Sequence, residues 1–113
     1  MAVVEITPAL EKEINKQFKA NSIEILKHLK TLEDQPKKGK PLGRVGNIAI
    51  KELKHEGYRF YFITDAYQVR FFKKDELVDL LLRFVRMSDK KSQQETIEEI
   101  REVLLKIGPE GFE

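Results

Sequence analysis

The chain has no cysteine and no tryptophan, only two histidines, and no long apolar run. Each shortage removes a class of function. Without cysteine, neither a disulfide framework nor a thiolate metal site can form. Two histidines far apart in sequence argue against zinc, so no metal and no other cofactor is expected. No segment approaches the ~20 apolar residues needed to cross a bilayer, so no membrane partner is expected. The opening stretch MAVVEITP lacks the charged-then-apolar layout of a secretory signal, which makes the cytoplasm the expected location. At 113 residues the chain is long enough for one core and too short for two, giving a single domain over 1–113.

What is abundant is charge, and it is unevenly placed. The formal net charge is +2, yet residues 36–91 carry 14 Lys and Arg against 7 Asp and Glu, a local +7. The remainder is −5. Solvated faces are the simplest reading of most charge runs. An asymmetry of this size also suits an electropositive surface that meets a polyanion such as nucleic acid.

Val3, Val4 and Ile6 make a short opening strand. Thr7-Pro8 then starts a helix, threonine capping the first free N–H groups and proline pre-set for the first helical position. Leu10, Ile14 and Phe18 mark its buried face. Asn21 and Glu24 have capping-box spacing, opening a second helix with the stripe Ile25, Leu29 and Leu32; one bent helix satisfies the same pattern. His28 reads as a partly exposed helix residue. From Gln35 to Gly46 the periodicity stops, and Lys37, Lys38, Lys40 and Arg44 sit in what reads as a loop punctuated by glycine and proline. Pro41 directly after Gly39-Lys40 argues against a P-loop. A basic loop can still touch phosphates as point charges.

Ile48, Ile50 and Leu53 mark a strand whose alternation slips, implying a bulge, with Lys51 and Lys54 on it. His55-Glu56-Gly57 reads as the hairpin connection. On the aromatic strand that follows, Tyr58, Phe60 and Phe62 point one way and Arg59, Tyr61 and Ile63 the other. His55, at the turn, is expected to be exposed. Val69 to Phe72 is a short extended piece between turns at 65–67 and 73–76. Leu77 to Met87 has apolar residues of both parities and reads as a central strand covered on both faces, although a helix can be written on the same residues. Ser92 and Glu95 form another capping box. Ile97, Ile100, Val103, Leu104 and Ile107 stripe a helix that stops at Gly108-Pro109.

At Ile50-Lys51-Glu52-Leu53-Lys54, Gly57-Tyr58-Arg59-Phe60-Tyr61-Phe62, Leu80-Leu81-Leu82-Arg83-Phe84 and Asp89-Lys90-Lys91-Ser92, the chain resembles the RelE/ParE toxin superfamily, particularly its RelE- and HigB-like members. The resemblance implies an α+β, RelE-like fold: an N-terminal strand, two helices, a mostly antiparallel sheet of about four to five strands, and a C-terminal helix. Two departures stand out. Residues 65–76 are longer than the tight hairpin usual there, and Thr96 and Ile97 occupy places where some members offer a catalytic tyrosine or histidine.

What the resemblance implies is the toxin component of a type II toxin-antitoxin system: a ribosome-associated, metal-independent mRNA endoribonuclease. The expected partners are a cognate antitoxin protein, the ribosome and mRNA. In such a reaction the RNA 2′-hydroxyl attacks the adjacent phosphate, which requires a proton acceptor, cations for the growing charge and a donor for the leaving oxygen. Arg59 matches the family's strand arginine and is the expected phosphate stabiliser. Lys51 and Lys54 match the basic strand before it, one of them a candidate base if neighbouring cations depress its pKa. Arg86 completes the candidate catalytic set. Lys40, Arg44, Tyr61, Arg83, Lys90 and Lys91 are candidate nucleic-acid contacts, Tyr61 by stacking. Blander readings stand beside these: Arg59 paired with Glu52 across the hairpin, each lysine a solvated surface group, Tyr61 in packing. The alternative functions are a ParE-like inhibitor of DNA gyrase, a catalytically inactive binding protein on the same scaffold, or an unrelated interaction protein.

Overall fold

A computed structural model describes residues 2–65, 67–87 and 93–107. The chain runs β1 (Val3–Ile6), α1 (Pro8–Phe18), α2 (Ser22–Lys30), β2 (Lys40–Val45), β3 (Ile48–His55), β4 (Tyr58–Thr64), β5 (Gln68–Phe72), α3 (Lys74–Met87) and α4 (Gln93–Ile107). The five strands form one sheet in the order β1-β5-β4-β3-β2. Only β1 pairs in parallel, against β5; every other pairing is antiparallel. This is an α+β domain with a mostly antiparallel sheet.

Both faces of the sheet are covered. On one, Leu10 and Ile14 of α1 and Ile25 and Leu29 of α2 pack with Val4, Leu53, Phe60, Phe62, Val69 and Phe71. Phe62 and Phe71 meet at 4.8 Å between ring centroids, inside the range where aromatic pairs attract. On the other, Leu77, Val78 and Leu81 of α3 and Ile100, Val103, Leu104 and Ile107 of α4 pack on Leu42, Ile50, Tyr61 and Phe72. Each fully buried side chain of this size contributes about 2 kcal/mol from the area it removes from water.

Several local expectations hold in atomic detail. Thr7 caps α1, its hydroxyl accepting from the Leu10 N–H at 3.3 Å, and it donates to Glu76 Oε1 at 2.6 Å. Glu76 in turn accepts from the Lys73 N–H at 2.9 Å, so one carboxylate closes the start of α3 and ties it to the start of α1. The β3–β4 turn is shorter than expected: it is Glu56-Gly57, both at positive φ (49° and 87°), the geometry that suits a two-residue hairpin, while His55 belongs to β3 and pairs with Tyr58.

Other expectations need correction. Leu77 to Met87 is not a strand: it belongs to α3, whose wide apolar arc puts apolar residues at odd and even positions alike. Residues 40–45 are not loop but the edge strand β2, where Pro41 is tolerated because one edge has no neighbour. The bulge lies in β2, between Pro41 and Gly43, and not in β3. Since β3 is buried on both sides, Ile50 faces α3 and α4 while Leu53 faces α1 and α2. Asn21 makes no side-chain cap; a 3₁₀ turn at Lys19–Asn21 joins α1 to α2 instead. The expected Ser92 cap lies outside the described residues.

The β2 bulge frees the Leu42 carbonyl, which accepts from Lys106 Nζ at 2.9 Å. Beside it, a β-carbon on Gly43 would sit 2.5 Å from Val103 Cγ2, so glycine here permits α4 to lie directly on the strand.

Candidate functional site at the hairpin end of the sheet

Strand register decides which cations meet. Lys54 and Arg59 are direct cross-strand partners, as are Glu52 and Tyr61, and Lys40 and Glu52. Directly opposed residues share a face, so Lys40, Glu52, Lys54, Arg59 and Tyr61 all lie on the α3–α4 side. Lys54 and Arg59 are exposed, and among the described residues neither has a hydrogen-bond or ion-pair partner. Two like charges directly opposite on adjacent strands destabilise a sheet unless an anion lies between them.

Arg59 also lines a cleft of about 250 Å³ where β5 has ended and β4 continues. Its charged and amide lining is Arg59, Lys74, Glu13 and Gln17; Phe18, Tyr58, Phe60, Tyr61 and Phe72 supply aromatic walls. Phe18 holds Tyr58 edge-on, ring centroids 4.7 Å apart, and Tyr58 stays 44 % exposed at the rim. Cation, aromatic surface and a strand edge therefore converge beside the hairpin.

The remaining candidates scatter. Lys51 is three residues from Lys54 and so faces the α1–α2 side, where its Nζ donates to the Lys37 carbonyl at 3.4 Å. It is a brace for the loop before β2, away from Arg59. Arg44 is exposed near the opposite end of β3 and donates to the Asn47 carbonyl at 3.4 Å. Arg83 is exposed on α3, about 13 Å along the helix axis from Lys74. The Arg86 side chain and all of Lys90 and Lys91 lie outside the described residues. Tyr61 is 7 % exposed in the apolar layer under α3, so most of its ring is packing, with only its margin on the cleft. The pairing of Arg59 with Glu52 does not form, because register sets Glu52 against Tyr61.

Three features escape a reading of the sequence alone. Glu52 is buried, at 7 % exposure, and among the described residues its Oε2 has no hydrogen-bond partner. Its parity with Ile50 is the available signal that it faces inward. Lys74 joins Arg59 in the cleft through α3, a helix whose residues resemble a turn and a strand. The two histidines, far apart in sequence, meet with ring centroids 4.5 Å apart and planes tilted by 39°, His28 from α2 against His55 from β3. Burial, His55 and Lys38 all lower the His28 pKa below its usual value.

Comparisons with protein-family models, with curated proteins and with solved structures return no match. Among the described residues no three His, Cys, Asp or Glu side chains gather as a metal site. No described helix is long and apolar enough to cross a membrane.

Proposed function

We propose that the hairpin end is an RNA-phosphate site and that the protein is a metal-independent endoribonuclease of the RelE/HigB type, acting on mRNA at the ribosome and held in check by an antitoxin. The observation that carries this reading is the unpaired Lys54–Arg59 juxtaposition beside an aromatic-walled cleft. Both side chains bring N–H donors and full charge to one point on a rigid two-strand ribbon. A phosphate bridging them removes their mutual repulsion, and the charge that grows on phosphorus during 2′-hydroxyl attack is stabilised further. The cleft offers room beside that point for an unpaired base against Tyr58. The RelE-like topology and the toxin role rest on the sequence resemblance together with this site.

Toe-printing of a translated message with purified protein tests the proposal. Cuts within the decoding site that vanish in Arg59→Ala are expected. An intact message on ribosomes that retain the protein contradicts it.

One observation favours a second reading. Helices cover both sheet faces, so the cations reach solvent at one end and not across an open concavity. A non-catalytic binder on this scaffold, such as a ParE-like gyrase inhibitor, needs no more than that end. Inhibition of DNA supercoiling with RNA left intact distinguishes it.

A further inference from the structure

The cleft beside the hairpin lies along a strand edge. The last β4–β5 pair is Tyr61 with Phe72, and α3 begins at Lys74, so Tyr58, Arg59 and Phe60 have no strand beside them on that side. The two-residue turn makes His55 and Tyr58 the hydrogen-bonded pair that closes the hairpin, and bonding alternates along the strand from there. The Arg59 main-chain N–H and C=O therefore point away from β3, toward the cleft. To the same cleft α1 contributes Glu13 and Gln17, four residues apart and so on one face of the helix. Both are exposed, as are Tyr58 and Arg59, so a ligand reaches all four from solvent.

The cleft thus has two chemical ends. Arg59 and Lys74 bring positive charge from the sheet and from α3, whereas Glu13 brings a carboxylate from α1. Among the described residues Glu13 forms no ion pair, so the opposite charges line one space without closing it. A carboxylate beside a phosphate site repels the anion that the cations attract, unless the same ligand carries donors for it. Of the four RNA bases only guanine presents two neighbouring donors, N1–H and the N2 amino group, one for each carboxylate oxygen. Adenine has an acceptor at N1, which a carboxylate repels, and uracil and cytosine offer one donor group each. We propose that the cleft selects a guanine base in RNA, with Glu13 accepting from N1–H and N2–H. The Gln17 amide and the Arg59 main-chain N–H are the donors for O6, and Tyr58 is the stacking surface. A cleft of about 250 Å³ is smaller than the roughly 300–1,000 Å³ of pockets for drug-sized ligands, so it takes one base and not two. This rests on the RNA-phosphate reading above, in which the Arg59 guanidinium holds the neighbouring phosphate.

The test uses the full chain and labelled single-stranded oligouridines carrying one central G, inosine or A, with binding followed by fluorescence anisotropy. Inosine keeps N1–H and O6 but lacks the N2 amino group. Wild type is expected to bind the G oligonucleotide about tenfold more tightly than the A oligonucleotide, with inosine between them, the usual scale for one bidentate contact to a base. Glu13→Gln is expected to cut that preference to about twofold or less, chiefly by weakening G. Arg59→Ala is expected to weaken all three and to keep the preference, since its main chain remains. A wild-type protein that binds G, inosine and A alike overturns the guanine site and leaves the phosphate reading standing. A Glu13→Gln protein that keeps the full preference, or that weakens on all three alike, also overturns it. Guanosine 3′-monophosphate binding as tightly as the G oligonucleotide assigns the cleft to a free nucleotide and overturns RNA as the occupant. A wild-type protein that binds none of the oligonucleotides overturns both readings. Should Glu13→Gln unfold by circular dichroism, the wild-type ranking decides: G above inosine above A supports the site, and any other order contradicts it.

Discussion

Two cross-strand pairs on the same face of the same sheet have opposite characters. At the β1–β5 edge, Glu5 faces Arg70 in register and the two join at 2.6 Å, with the arginine Nε donating to the same carboxylate oxygen at 2.9 Å. At the hairpin end, Lys54 faces Arg59, and among the described residues no carboxylate takes up either charge. Both pairs are exposed, so both are weak terms in stability, the first slightly favourable and the second slightly unfavourable. A sheet whose edge pair is neutralised shows what strand pairing alone asks for. Departure from that pattern at the hairpin is where a ligand's charge fits.

The largest expected break in the comparison is functional. Arg59→Ala should slow RNA cleavage about 100-fold or more in a single-turnover assay, the usual scale for removing one preorganised charge donor. Arg70→Ala, an arginine on the same face, should leave the rate unchanged. Equal losses would make total charge, and not the hairpin pair, the active quantity.

Next come substitutions that loosen the scaffold without touching either pair. Gly43→Ala forces a methyl onto Val103 and should cost about 1–3 kcal/mol in urea unfolding while RNA affinity is retained. Thr7→Ala removes the α1 cap and the hydroxyl that links to Glu76, and should cost about 1–2 kcal/mol by thermal or urea unfolding.

The paired histidines predict a pH dependence with a definite sign. His28 has a folded pKa below its ordinary value of 6.5, so near that pH the folded state binds fewer protons than the unfolded chain. Stability is therefore lower once the pH falls below the unfolded value, and the loss is complete below the folded pKa. Denaturant midpoints for wild type should drop between pH 7.5 and 5.5 by more than those for His28→Gln.

The smallest effect sharpens the comparison most. Lys54→Glu converts the like-charged pair into an opposite pair and should raise stability by about 0.2–1 kcal/mol, while RNA binding falls. A gain in one and a loss in the other, from one residue, would mark the pair as kept for a ligand.

Much of this architecture is legible in the sequence because its signals are local. Thr7-Pro8 starts α1, Glu56-Gly57 makes the hairpin, and the stripe from Ile100 to Ile107 marks α4. What is not legible depends on the second layer of helices. Leu77 to Met87 looks like a buried strand because α3 has apolar side chains around much of its circumference, and composition alone does not separate a broad helical arc from a two-sided strand. β2 is hidden by Lys40, Pro41 and Gly43, poor strand formers that survive at an edge with a bulge. The site is half legible. Arg59 and Lys54 meet as the hairpin requires, whereas the odd spacing of Lys51 from Lys54 sends it to the other face. Tyr61 can be read from its strand as packing or as stacking, and the helix above it decides for packing.

The most direct test of the central claim is the salt dependence of binding to a single-stranded RNA, measured by anisotropy from 50 to 300 mM salt. Three proteins suffice: wild type, the Lys54→Ala/Arg59→Ala double variant, and the Glu5→Ala/Arg70→Ala double variant. Removing one cation from a phosphate makes the slope of log affinity against log salt shallower by about 0.7, so the hairpin variant should differ from wild type by about 1.4 and the edge variant should match it. Parallel lines for all three proteins would contradict a phosphate site at the hairpin.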